Sequence, residues 1–404
     1  MSTKQERFTL TRAALTFAWL ALVAFNAACT EGRTPSAPSL TAHRSRGEFP
    51  SPQGYPLLAH DPVTDRVWLV GGFTTDFALL QDLWTFSTRS RAWTPVGNPT
   101  GPTSWDATAL DAQSRKLILY QGYSAAFDAV DVQTWAYDVE SGVWENRTPA
   151  VQPPSRWGSI MVYDPEADRV LLYGGANFAD GLACGFCGAT TVFGDLWAYD
   201  YESNTWTERH PSVSPPPHHF PVLVYVPTID RTVLFGGFQQ GFTSLFNDTW
   251  SYDYDANRWT DLDPDDPPAP RAYHYMALEP KTNRIVMFGG TLNPSESGEE
   301  VPIDETWIYD VSGNSWQQAF PKESPGPHAW HVMGRTSGPV LLFGGGDSRA
   351  TWTNDTYLYS SRSNRWEHVA GGGAGSAPAG IAVHTPGAMS GGGVGQSGGR
   401  GRGH

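Results

Sequence analysis

The stretch Arg169-Val-Leu-Leu-Tyr-Gly-Gly175, followed by Asp195-Leu-Trp-Ala-Tyr199 and then Trp206, decides the fold of this chain. Its first piece is short, continuously apolar and closed by a glycine doublet, which suits a strand buried on both faces. Its second piece places Trp197 and Tyr199 on one side of a strand by the period of two. A polar turn, Glu202-Ser-Asn204, separates it from a last strand carrying Trp206. Upstream, Trp157–Asp164 reads as one more strand, joined to Arg169 by the turn Asp164-Pro-Glu-Ala-Asp168. Pro, Asp and Asn supply the geometry such turns need. The unit is therefore four short antiparallel strands, a to d.

The unit recurs five more times. Gly doublets or their remnant close RVWLVGG at 72, KLILYQG at 122, RTVLFGG at 237, RIVMFGG at 290 and PVLLFGG at 345. The Asp-then-aromatic strand follows at Trp84, Trp135, Trp250, Trp307 and Tyr357, and the closing Trp at 93, 144, 259, 316 and 366. Six copies in register resemble the kelch repeat, in which a glycine doublet precedes spaced Tyr and Trp and each unit forms one propeller blade. The resemblance covers roughly 49–369. It implies an all-β fold, a six-bladed kelch-type β-propeller. Strand a of the first unit and strand d of the last are both present, so the ring is expected to close by packing of whole blades.

Composition agrees. The chain has 404 residues, with 43 Gly, 32 Pro and 17 Trp and only 17% charged residues, which opposes a helical protein. A net charge of −14 disfavours nucleic acid, whose phosphates would be repelled, and no nucleic-acid partner is expected.

The ends read differently. Lys4, Arg7 and Arg12 precede the apolar run 13–25, which is short for a membrane span but suits a signal sequence. Ala27-Ala28-Cys29 follows and resembles a bacterial lipobox, whose cysteine would be acylated; Asn26 stands where Leu is usual. The expected organisation is a signal peptide at 1–28, a flexible tether at 29–48, the propeller at 49–370 and a Gly-rich disordered tail at 371–404. The chain is then expected in the bacterial cell envelope, lipid-anchored, or secreted. Membrane contact would be only through the lipid on Cys29.

Cys184 and Cys187 form Cys-Gly-Phe-Cys in the b–c segment of the third unit. An exported location favours a disulfide; free thiols or two ligands of a metal are the alternatives, and a structural zinc site would want four. No metal or other cofactor is expected.

In a propeller the a–b and c–d turns share one face, here short and uniform. The b–c and d–a loops share the other, and here they vary, which points to recognition. Counting back from each doublet, the start of strand a falls at Gln53, Thr103, Arg156, His218, Arg271 and His328, with Trp105, Asp106, Trp157, His219, His274, Trp330 and His331 nearby. Two readings stand. These residues bond the blades together, or they form a cationic, aromatic mouth for an anionic or sugar ligand in which Arg156, Trp157, His218, Arg271, His274, His328 and His331 make contact. The acidic segment Asp261–Asp266 reads as a solvated loop.

No Gly-x-Ser-x-Gly or His-Glu-x-x-His motif is present. A copper oxidase resembling galactose oxidase would need a Tyr crosslinked to a Cys, and the cysteines here are placed for other work. The function expected is a monomeric binding protein for a protein or glycan ligand. The alternative is a carbohydrate-active enzyme of the sialic-acid mutarotase type working in the channel mouth.

Overall fold

A computed structural model describes residues 49–74, 79–97, 101–102, 106–123, 130–177, 191–239, 244–292, 301–346 and 351–372. The expected signal peptide and tether, Cys29, Cys184, Cys187, Thr103, Trp105 and the tail beyond 372 lie outside these residues.

Six antiparallel sheets follow one another along the chain. Blade 1 holds β1 (Leu57–Asp61), β2 (Arg66–Val70), β3 (Leu83–Ser87) and β4 (Ala92–Gly97). Blade 2 holds β5 (Ala107–Asp111), β6 (Lys116–Tyr123), β7 (Val130–Asp138) and β8 (Val143–Asn146). Blade 3 holds β9 (Trp157–Asp164), β10 (Arg169–Asn177), the short edge strand β11 (Thr191–Val192), β12 (Leu196–Asp200) and β13 (Thr205–Arg209). Blade 4 holds β14 (Val222–Val226), β15 (Arg231–Phe235), β16 (Thr249–Asp253) and β17 (Arg258–Asp261). In blade 5 a two-residue pair, β18 (Arg271–Ala272) with β21 (Thr291–Leu292), extends the sheet of β19 (Tyr275–Glu279), β20 (Arg284–Phe288), β22 (Thr306–Asp310) and β23 (Ser315–Ala319). Blade 6 holds β24 (Val332–Gly334), β25 (Val340–Phe343), β26 (Thr356–Ser360) and β27 (Arg365–Ala370). The innermost strands β1, β5, β9, β14, β19 and β24 contact one another around the ring.

Each blade buries both faces. Trp197 and Tyr199 of β12 pack towards blade 2, against Ile118 and Tyr120. Leu196 and Ala198, one residue out of phase, pack towards blade 4, against Leu234 and Trp259. The b strands are the most enclosed, with Leu171, Leu234, Val286 and Leu341 all at 0% exposure. The sequence pattern predicted this, because a strand covered on both sides has no polar face to keep.

The glycine doublet answers two close approaches. A Cβ on Gly174 would lie 2.6 Å from the His218 carbonyl of the next blade, and one on Gly175 3.1 Å from the Trp157 carbonyl of its own. Both glycines take positive φ, 73° and 90°, which a side chain would resist. The gap is closed by a bond from the Gly175 N–H to the His218 carbonyl at 2.9 Å. Gly237 donates likewise to Arg271, Gly290 to His328, and Gly345 to Gln53 across the junction of blades 6 and 1.

The closing Trp works backwards around the ring. Trp206 donates its indole N–H to Thr134 of blade 2 at 2.9 Å, Trp316 to Thr249 of blade 4 at 3.1 Å, and Trp366 to Thr306 of blade 5 at 2.9 Å. Trp93 of blade 1 donates to Thr356 of blade 6 at 2.8 Å. The ring therefore closes as expected, with whole blades and with the contacts used at other junctions. Trp144 and Trp259 depart from this: blades 1 and 3 offer Leu83 and Leu196 at the threonine position, and the buried Trp259 Nε1 has no hydrogen-bond partner among the described residues.

Candidate functional site

The chain enters each strand a from a proline-rich d–a connection. Arg156 is fully buried and forks onto Asp195 of its own blade, at 2.6 and 2.7 Å, while donating to the Gly174 and Pro154 carbonyls. Asp195 also accepts the indole N–H of Trp197 at 2.7 Å. Arg271 repeats the arrangement in blade 5 with a single bond to Glu305 at 2.7 Å and others to Gly289 and Ala269. Burial works to lower both guanidinium pKa values. The two-bond partner Asp195 outweighs burial at Arg156, which is raised; the single bond leaves Arg271 lowered.

His218 bridges the Tyr173 hydroxyl of blade 3 and Asp248 of its own blade, both at 3.2 Å. His328 is buried and bonds the Gly326 carbonyl at 2.9 Å. Gln53, which fills this position in blade 1, is buried as well. The structure thus places Arg156, His218, Arg271 and His328 in the blade wall. A carboxylate just before strand c, Asp195, Asp248 or Glu305, is set against each of Arg156, His218 and Arg271 within its own blade.

Two residues further on stand Tyr55, Gly158, Phe220, Tyr273 and Trp330. All have positive φ, at 49°, 69°, 56°, 55° and 61°. Bulky aromatic residues rarely adopt this conformation, and strain of this kind persists only where the surroundings impose it. The left-handed turn swings the side chains inward, where they meet. Tyr273 and Trp330 stack at 3.7 Å, Phe220 lies 5.4 Å from Trp330 and 4.9 Å from Tyr273, and Tyr55 is 5.4 Å from Phe220. Trp157 joins from blade 3, 5.0 Å from Phe220. The rings close the channel at its loop-face end. Of the predicted site residues, Trp157 belongs to this cluster. Tyr55, Phe220 and Tyr273 were not singled out in the sequence, although their constant offset from the Arg/His position was visible there.

Beneath the aromatic plug a cavity of about 30 Å³ is lined by Ser159, His274, Tyr275 and His331 among others. That is room for a water or two and not for a sugar ring. His274 and His331 line it and are buried, as is His219, which packs on Phe220 at 4.1 Å. Burial lowers all three, His219 and His274 to about 3, so the imidazoles are neutral.

Asp106 of blade 2 stands at the position that His274 and His331 fill in blades 5 and 6, and accepts bonds from the Gly158 N–H at 2.8 Å and from Ser159 Oγ. Burial raises its pKa to about 7 against the pull of those bonds. A carboxyl raised on folding holds its proton better folded than unfolded, so its contribution is greatest at low pH and is lost as pH rises to 7. Asp106→Asn should therefore gain on the wild type by about 1.4 kcal/mol per pH unit between pH 4 and 7. Denaturant midpoints measured across that range check this; parallel curves for the two proteins would show that Asp106 is ionised throughout.

No group of three or more His, Cys, Asp or Glu side chains among the described residues is arranged to hold a metal. No helix among them is long and apolar enough to cross a membrane.

The family model described as the KLHDC2/KLHL20/DRC7 Kelch-repeats domain matches residues 35–228 and 185–399. Among curated proteins, Kelch domain-containing protein 1 of Mus musculus is 24% identical over 267 residues, which is 59% of this chain and 61% of that protein. Multiple epidermal growth factor-like domains protein 8 of Mus musculus is 25% identical over 220 residues, 53% of this chain and 8% of that protein. The flagellar outer-arm dynein alpha chain of Chlamydomonas reinhardtii is 29% identical over 171 residues, 40% of this chain and 4% of that protein. The chain thus spans less than two thirds of the length of each of these relatives.

Proposed function

Because the chain belongs to the kelch-repeat family, we propose that it is a protein-binding scaffold whose recognition surface is the loop face, centred on the aromatic plug. The observation that carries this is the set of four aromatic residues, Tyr55, Phe220, Tyr273 and Trp330, held at positive φ in one cluster. Rigid aromatic side chains lose little entropy on binding and dominate interface energetics. Tyr55, Trp157, Tyr273 and Trp330 each keep part of their surface exposed.

A protein ligand is favoured over a glycan on chemical grounds. A sugar site sets free hydrogen-bonding groups beside its stacking ring. Among the described residues, Arg156 and Arg271 behind the cluster are already bonded to Asp195 and Glu305. The same argument weighs against a sugar-converting enzyme, since Asp106 is sealed at 2% exposure. The basic start, the apolar run 13–25 and Ala27-Ala28-Cys29 support export with lipid attachment at Cys29.

The test sets the wild type beside Tyr273→Ala/Trp330→Ala, screened against envelope proteins and a glycan array. The variant should lose binding to a protein partner by tenfold or more, on the order of the 2 kcal/mol typical of an aromatic anchor, while still unfolding cooperatively. Equal binding by both proteins would move the site off the plug. Binding confined to glycans would overturn the protein reading.

A further inference from the structure

The opposite face, made by the a–b and c–d turns, carries its charge in two halves. In blades 5, 6 and 1 stand Lys281, Arg335, Arg362, Arg365, Arg66 and Arg89. Arg335 is half-buried and the others are exposed; none has a carboxylate within ion-pair distance among the described residues. Links between the turns hold this half together. Lys281 Nζ lies 3.6 Å from the Cβ position of Gly338, Ser337 donates to Asp65 at 2.8 and 3.0 Å, and Thr88 donates to the same carboxylate at 2.9 Å. Arg335 is close enough to help hold the His60 pKa down, behind burial. The acids of this half are already engaged: Asp65 by Ser337, Thr88 and His60, the buried Asp61 by Arg115, the buried Glu279 by Thr282 and Ser361, and Glu367 and Asp310 by Arg91 and Arg284.

Blades 2, 3 and 4 are the reverse. Glu166, Glu202 and Asp255 are exposed, Asp168 and Asp230 are half-exposed, and none of the five has a cation partner among the described residues. Glu140 of blade 2 is exposed and reaches Arg115 only at 3.6 Å. The acids crowd one another: Asp164 is raised by burial first and then by Asp230 and Asp255. Arg258 is the one exposed cation on this side without such a partner among the described residues.

We propose that this turn face binds a second copy of the same chain, in a face-to-face dimer in which the basic half of one copy lies on the acidic half of the other. With six blades spaced around a ring, blade 3 stands opposite blade 6. A two-fold axis lying in the face, perpendicular to the line joining them, sets blade 6 on blade 3, blade 1 on blade 2 and blade 5 on blade 4. Arg335, Arg362 and Arg365 then meet Glu166, Asp168 and Glu202. Arg66 and Arg89 meet Glu140, and Lys281 meets Asp230 and Asp255. Each match occurs twice, as an isologous interface requires.

An anionic ligand would account for one half of the face and leave the acidic half unexplained. Val63 of blade 1, 69% exposed, is carried towards Val143 of blade 2, 60% exposed, and adds apolar contact. Both ends of the described propeller lie on the loop face, where strand a begins and strand d ends, so this face is clear of them. The dimer proposed in place of the expected monomer is weak and salt-sensitive, because exposed ion pairs contribute little individually and are screened over about 8 Å at physiological salt.

Sedimentation velocity of the full chain tests this with two exposed double variants, Arg362→Glu/Arg365→Glu and Glu166→Lys/Glu202→Lys. The wild type should dimerise at low salt, with the dissociation constant rising about tenfold or more towards 0.5 M salt. Each variant alone should stay monomeric. An equimolar mixture of the two should dimerise again, since their reversed halves match. Tyr273→Ala/Trp330→Ala, altered on the other face, should dimerise like the wild type, which separates this proposal from the partner site. A wild type that is monomeric at low salt, an association indifferent to salt, or variants that fail to complement each other would overturn it. Association by all proteins alike would locate the contact elsewhere and overturn it equally.

Discussion

Acid is expected to destabilise this propeller steeply between pH 6 and 4, where its surface carboxylates are still ionised. His219, His274 and His331 are buried beside the channel and neutral, with pKa values driven down by burial, to about 3 for the first two. Arg271 adds to the effect at His274, as His328 and His274 do at His331. In the unfolded chain the same imidazoles take up protons near pH 6.5. A depressed folded pKa means that the stability is complete above 6.5 and is lost as pH falls towards 3. Each imidazole contributes a slope of about 1.4 kcal/mol per pH unit in that window. Asp106 acts in the opposite sense over pH 4–7 and cancels roughly one of the three. The net slope between pH 4 and 6 is then about 3 kcal/mol per unit.

Denaturant titrations followed by tryptophan fluorescence, from pH 8 down to 4, measure it. His274→Gln and His331→Gln should each remove about one proton from the slope, whatever they do to stability at pH 8. A stability that is level from pH 8 to 5 in the wild type would mean that the imidazoles are not sealed as the fold places them.

The second large effect is expected at Arg156. Replacing it with Met strips Asp195 of a two-bond partner and leaves the Gly174 carbonyl without its donor. Breaking a buried pair from one side costs several kcal/mol; because Asp195 keeps 19% of its side chain exposed and still holds Trp197, about 3 kcal/mol is expected here. Arg156→Lys should recover little, since an ammonium cannot fork onto a carboxylate. Arg271→Met should cost less, its single bond being to a carboxylate that is 31% exposed. Melting and denaturant curves decide the matter. If Arg156→Met unfolded like the wild type yet lost its ligand, the guanidinium would be a contact residue and the wall position would be the wrong reading.

Much of the fold was legible because each blade repeats local chemistry. Tyr199, Tyr252, Tyr309 and Tyr359 donate their hydroxyls to Asn204, Asn257, Asn314 and Asn364, five residues on, at 2.6–2.9 Å. Those asparagines sit at positive φ in the c–d turns, a place that favours Asn. In blade 1 both partners change, to Phe86 and Arg91. Such pairs lie close in sequence and can be read without coordinates. The candidate site was only half legible. The Arg/His positions could be found by counting from the glycine doublets, but their direction could not, since the carboxylate that captures Arg156 lies 39 residues away.

By itself, then, the sequence determined the strands, the turns, the count of six blades and the face on which the loops gather. All of these follow from the period of two, the turn residues and the repeat. Tertiary structure alone decided three further things: that the Arg residues point into the wall, that the aromatics two residues later turn inward on a left-handed backbone, and that unpaired charges divide the turn face into opposite halves. Each depends on which distant residues the closed ring brings together, and a repeat pattern carries no record of that.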